Sequence, residues 1–125
     1  MASFEDLLVW QKAHQLVLQG YPLTLDFPDY ERFAMADQLR RAVVSVATNI
    51  AEGYGSHSDG LFLRYLSTAQ GSLAETRYLL LLARDLRYIN IPQYDAAAAL
   101  AEEVSKVASG FRSKVEERVR CAANR

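Results

Sequence analysis

Two histidines, fifteen carboxylates and fourteen lysines and arginines are the titrating groups from which this 125-residue chain can build a site. A carboxylate-bridged metal pair in a helical protein needs inward glutamates and Glu-x-x-His pairs, which place imidazole and carboxylate on one helical face. His14 and His57 are the only imidazoles, and neither follows a glutamate by three residues. His14, between Trp10 and Val17, is expected to be packed on one hydrogen bond, and His57 to face solvent from a turn. The stretch GYGSHSDG (53–60) has the glycines of a phosphate loop but lacks its lysine and preceding strand. Ser45 has no histidine near it in sequence. No catalytic residue, metal or cofactor is assigned, and the chain is read as non-enzymatic. The alternative is a small-ligand or metal-dependent enzyme, built in the fold's interior or at a subunit interface.

The arginines suggest a different chemistry. Arg77 and Arg84 stand seven apart, hence on one side of a helix, with Arg64 and Arg87 near that side and Gln70 between. Guanidiniums at this spacing can meet successive phosphates, and Arg40 and Arg41 can add to them from the preceding helix. Arg40, Arg41, Arg77, Arg84 and Arg87 are therefore the candidate nucleic-acid residues. The competing reading pairs them with Glu75, Asp85, Glu52 and Asp37. Tyr65, Tyr78 and Tyr94 can stack on bases, but tyrosines at helical spacing are more often core or interface.

These residues hang on the stretch 38–53, QLRRAVVSVATNIAEG, in which Leu39, Val43, Val46 and Ile50 step by four, three and four. That spacing lines one side of a helix. Ser45, Asn49 and Glu52 form a second line, among Ala42, Ala47 and Ala51. Ser and Asn compete for backbone hydrogen bonds inside helices, so a stripe of them suits a close helix or subunit contact. Ser45, Asn49, Glu52, Gly71 and Glu75 are the candidate interface residues.

Four helices are predicted, over about 4–25, 30–54, 58–88 and 92–121. The first has Ser3 and Asp6 as a capping box, an inward seam of Leu7, Trp10, His14, Val17 and Tyr21, and an end or kink at Pro22. The second starts at an Asp29 cap and closes at Gly53 or Gly55 in the left-handed conformation. Ser56 or Ser58 caps the third, whose seam is Phe62, Leu66, Ala69, Leu73, Thr76, Leu80 and Ala83. Leu63, Tyr65, Tyr78, Leu79, Leu81 and Leu82 make it apolar on further sides, so burial on more than one face is expected. Asn90, Pro92 and Gln93 open the fourth, with a seam of Tyr94, Ala97, Ala101, Val104, Ala108, Phe111 and Val115, and CAANR (121–125) is expected to fray. Short loops then give an all-α, single-domain, up-down-up-down antiparallel four-helix bundle, with the left-handed twist of helices about 20° apart.

A net charge of −1 provides no global attraction for polyanions, so such binding must be local. One cysteine, Cys121, leaves no internal disulfide and agrees with a reducing compartment. No apolar run approaches the 18 or so residues of a membrane span, and MASFEDLLVW (1–10) is acidic where a signal peptide is basic. A soluble, cytoplasmic protein with no membrane partner is expected.

Three stretches, FEDLLVWQKAHQLVL (4–18), QLRRAVVSVATNIAEGYG (38–55) and FLRYLSTAQGSLAETRYLLLLARDLRYI (62–89), together carry a family resemblance. They resemble the four-helix-bundle family named for reading frames in intervening sequences of bacterial 23S ribosomal RNA, over about residues 4 to 119. The resemblance implies ring-shaped homopentamers. It also implies a likeness to the accessory proteins of diversity-generating retroelements, basic bundles that bind a reverse transcriptase and nucleic acid. This chain differs from them in being slightly acidic. The expectation is a homo-oligomeric scaffold, with RNA or a nucleic-acid-processing protein as partner.

Overall fold

The computed structural model describes residues 2–124. Four α-helices follow one another: α1 (Leu8–Leu23), α2 (Met35–Gly55), α3 (Asp59–Asp85) and α4 (Ile91–Ala123). Short 3-10 turns cover Phe4–Asp6, Thr24–Asp26 and Asp29–Glu31, and there is no strand among the described residues. Each helix packs on its chain neighbours and α4 returns to α1, which closes a four-helix bundle. Neighbours run antiparallel: Gln38 meets Glu75 and Ser45 meets Ser72, while Asp59 meets Arg118 and Ser67 meets Arg112.

Helix starts follow the expected local chemistry at α3 and α4 and depart from it at α1 and α2. Ser3 and Asp6 form the expected capping box, but it closes a 3-10 turn and α1 proper begins only at Leu8. Pro22 lies in the last turn of α1, which ends at Leu23. Asp29 makes no side-chain cap; it opens a 3-10 turn, and α2 starts at Met35, five residues later than that cap implies. The Ser58 hydroxyl accepts the Leu61 N–H at 3.3 Å and caps α3. Asn90 and Gln93 cap α4 reciprocally, each side chain taking the other's backbone N–H at 2.8 Å. At its other end α4 remains helical through Ala123, past the expected fraying point at Cys121; Arg125 lies outside the described residues.

Helix ends use a device that sequence inspection assigned to glycine. Neither Gly53 nor Gly55 has a positive φ; His57 (φ 54°) and Arg87 (φ 63°) do. After α3 the Tyr88 N–H reaches the Ala83 carbonyl at 2.8 Å and the Arg87 N–H reaches Arg84 at 3.0 Å. That is a Schellman closure with arginine in the left-handed position. Gly53 serves packing instead. A Cβ there would lie 2.7 Å from Phe62 Cδ1 and 2.8 Å from Tyr65 Cβ, so its absence lets α2 and α3 approach.

The seams expected on α2 and α3 are buried throughout, and that of α4 is buried apart from half-buried Tyr94 and Phe111. Leu79 of α3 is buried as well, and Leu63, Leu81 and Leu82 are half-buried, whereas Tyr78 is exposed. The seam of α1 differs. Val9, Ala13, Leu16, Gly20 and Leu23 face the core, while Trp10 and Val17 are half-buried and His14 and Tyr21 are exposed. Ala13 is fully buried, and a Cβ at Gly20 would meet Val43 of α2 in ordinary contact at 3.8 Å. The bulkier residues one position along are turned outward. His14 is accordingly a surface ring stacked on Trp10, centroids 4.8 Å apart, rather than a packed core histidine.

The core divides into two clusters. One joins α1 to α2, α3 and α4 around Leu16, Val46, Ile50, Leu66 and Val104. The other joins Phe27, Met35, Leu39, Leu80, Ile89 and Ala97, and takes only Leu23 from α1.

Candidate nucleic-acid interface and helix-packing stripe

The polar stripe on α2 makes a real inter-helix contact. Ser45 Oγ lies 2.8 Å from Ser72 Oγ of α3, and Asn49 Nδ2 donates to the Ser45 carbonyl at 2.8 Å and to its hydroxyl at 3.0 Å. All three side chains are half-buried. Asn49 thus takes up the hydrogen-bonding capacity that makes serine unfavourable inside a helix. Glu75 accepts from Gln38 Nε2 at 3.0 Å, a second α2–α3 bond further along. Glu52 and Gly71 are exposed, and a Cβ at Gly71 would meet nothing within 4 Å.

The five candidate arginines do not share one face. Arg40 is turned inward, donating to Thr24 Oγ1 and to the Arg32 carbonyl, both at 3.1 Å. It clamps the α1–α2 connection to α2. Arg41 pairs with Asp37 at 2.9 Å and keeps 81% of its side chain exposed. Both line a cavity of about 430 Å3 between α1 and α2, with Tyr21, Val44, Ser45 and Asn49. Arg77 is on the opposite side, in a groove of about 350 Å3 between α3 and α4 with Gln70 and Ser105. It has no carboxylate partner among the described residues. Arg84, two turns along, bonds Asp85 at 2.9 Å and stacks over the Tyr94 ring at 4.6 Å. Arg87 shares the end cavity of about 790 Å3 with Arg84, Asp26 and Asp85.

Arg112 of α4 extends the groove and was not singled out from the sequence. Its guanidinium donates to Ser67 at 2.7 Å and Gln70 at 2.9 Å, and pairs with Glu116 at 3.1 Å. Ser67 and Gln70 lie more than forty positions away, so no local spacing announces these contacts. Ser72 was equally unmarked, although it stands beside Gly71.

Shifted titrations sit at the bundle ends. Tyr88 is raised well above the ordinary phenol value, chiefly by the hydrogen bond with Tyr30, then by burial and by its own bond to Glu31; both bonds are 3.0 Å. The Tyr88 hydroxyl donates to the Glu31 carboxylate and lies 3.0 Å from the Tyr30 hydroxyl, tying the α1–α2 connection to the end of α3. At the other end Arg118 holds the Asp59 carboxyl below its usual range through hydrogen bonds of 3.0 and 3.2 Å. His57 and Ser58 lie in the same cavity as that pair, but the Ser58 hydroxyl is used in capping Leu61. No group of three or more metal-ligating side chains occurs among the described residues. No helix there is long and apolar enough to cross a membrane.

The family model for 23S rRNA-intervening sequence proteins matches residues 5–110. The chain belongs to that family. A crystal structure of an unknown-function protein of the S23 ribosomal protein family, from Bacteroides thetaiotaomicron, shares the fold with a TM-score of 0.79. It is 24% identical and the match covers 87% of this chain and 98% of that one. Comparison with curated proteins gives no match. The family assignment agrees with the resemblance carried by the residues 4–18, 38–55 and 62–89.

Proposed function

We propose that this intervening-sequence family member is a non-enzymatic, homo-oligomeric scaffold of the cytoplasm whose α3–α4 groove contacts RNA or a ribonucleoprotein. The observation that carries the reading is Arg77, a guanidinium without a carboxylate partner among the described residues, in a groove flanked by Arg112 and Arg84. Planar guanidiniums suit phosphate oxygens, and a basic groove acts locally even where net charge is −1. The family's name, which refers to 23S rRNA, makes RNA the first polyanion to test. Assembly into a ring, with five subunits as the count the resemblance implies, repeats the groove once per subunit and turns weak contacts into avidity.

Fluorescence anisotropy with a structured RNA and with a single strand tests this at low salt. Binding is expected to weaken steeply as salt is raised, because each phosphate contact releases counterions. It is expected to weaken again in Arg77→Ala/Arg84→Ala, while Arg41→Ala, on the α1–α2 side, leaves it unchanged. Absent binding, or binding indifferent to Arg77 and Arg84, leaves a scaffold that recognises protein alone.

A further inference from the structure

The groove of about 350 Å3 between α3 and α4 is lined by Gln70, Leu73, Ala74, Arg77 and Ser105, none of which is a carboxylate. The bundle's other cavities are lined differently. Asp37 and Glu52 line the one between α1 and α2, Asp26 and Asp85 the end cavity beside Arg87, and Asp59 the one at the opposite end. In the α3–α4 groove the polar groups are free to donate. The Gln70 side-chain oxygen accepts from Arg112 at 2.9 Å, which leaves its Nε2 hydrogens unengaged. The Arg77 guanidinium and the half-buried Ser105 hydroxyl have no side-chain partner among the described residues. Donors from both helices thus border one hollow above the buried Leu73.

We propose that this groove is a subsite for one phosphate group at the end of an RNA strand, a proposal that rests on the RNA reading above and names the part of the RNA that enters. A terminal phosphate carries nearly two negative charges and three acceptor oxygens, one for each of the Arg77, Gln70 and Ser105 donors. An internal phosphodiester has a single charge and one such oxygen fewer, which leaves a donor unmatched. The surroundings also favour an end. Arg84, about 10 Å further along α3, is paired with Asp85, and Arg112 on the other side with Glu116. A strand continuing through the groove would lay its next phosphates beside those carboxylates. Tyr78, 59% exposed, is one helical turn beyond Ala74 of the groove wall and offers its ring to the terminal base. A phosphorylated protein side chain brings the same phosphate but no base to stack there.

The test is fluorescence anisotropy at low salt with one internally labelled single-stranded RNA, made with a 5′-phosphate, with a 3′-phosphate, or with hydroxyls at both ends, and with a labelled phosphoserine peptide. At least one phosphorylated strand is expected to bind about tenfold more tightly than the hydroxyl strand, the scale of an added charge-assisted hydrogen bond. The arm that does so names the end. That preference should disappear in Arg77→Gln and shrink in Ser105→Ala, with helical circular dichroism unchanged in both. RNA bound equally with and without a terminal phosphate overturns this subsite and leaves the basic-groove reading standing, and a preference that survives Arg77→Gln overturns it too. RNA that fails to bind in any form removes both. A phosphoserine peptide bound as tightly as the phosphorylated RNA overturns the RNA end as the ligand and makes the groove a phosphopeptide site.

Discussion

At the scale of single residues, the side chains that sequence spacing marked as a binding set have mostly found intramolecular partners. Arg40 is bonded to Thr24 and Arg32, Arg41 to Asp37, and Arg84 to Asp85 and the Tyr94 face. Spacing fixes which helix face a residue occupies but not what stands opposite, and for Arg40 that is a loop sixteen residues upstream. The Ser45–Asn49 stripe was more legible, because its bonds to itself are one helical turn apart. Arg87 gives a prediction at this scale. A left-handed backbone costs an L-residue about 1–2 kcal/mol, and glycine recovers that less its greater freedom in the unfolded chain. Arg87→Gly should stabilise the protein by about 0.5–1 kcal/mol, seen as a higher urea midpoint. A lower midpoint would show that the guanidinium itself holds the α3–α4 turn.

Among the elements, α2, α3 and α4 were legible because their large apolar residues fall on one stripe at alternating steps of three and four. The first helix was misread for a physical reason. Two of its five buried residues, Ala13 and Gly20, are small, and its larger Trp10, Val17 and Tyr21 point away from the core centre. Size was taken for burial. The late start of α2 was equally hidden, since Asp29 has the chemistry of a cap and opens only a 3-10 turn. How tightly α2 and α3 approach is testable at Gly53. In Gly53→Ala the added methyl meets the Phe62 ring edge and the Tyr65 Cβ, and overpacking of this kind costs about 1–3 kcal/mol. The thermal midpoint should fall, whereas Gly71→Ala, which faces open space, should leave it the same or higher.

For the molecule as a whole, the proposed assembly would tie stability to concentration. If subunits associate only when folded, mass action raises the unfolding midpoint as protein is added. Calorimetry across a hundredfold range should show that rise, and a constant midpoint would mark a free-standing bundle. The division of the core into two clusters has a consequence of its own. Around Leu16 and Val104 all four helices interlock, but around Leu39 and Leu80 the place of α1 is taken by Phe27 and a run of short turns. That end resembles a three-helix stack closed by a latch, fastened through Arg40 and through the Tyr30–Tyr88–Glu31 chain. One end of the protein is therefore closed by helices alone and the other by turns, and the turn-closed end lies where Leu25, Tyr30 and Phe33 meet the solvent.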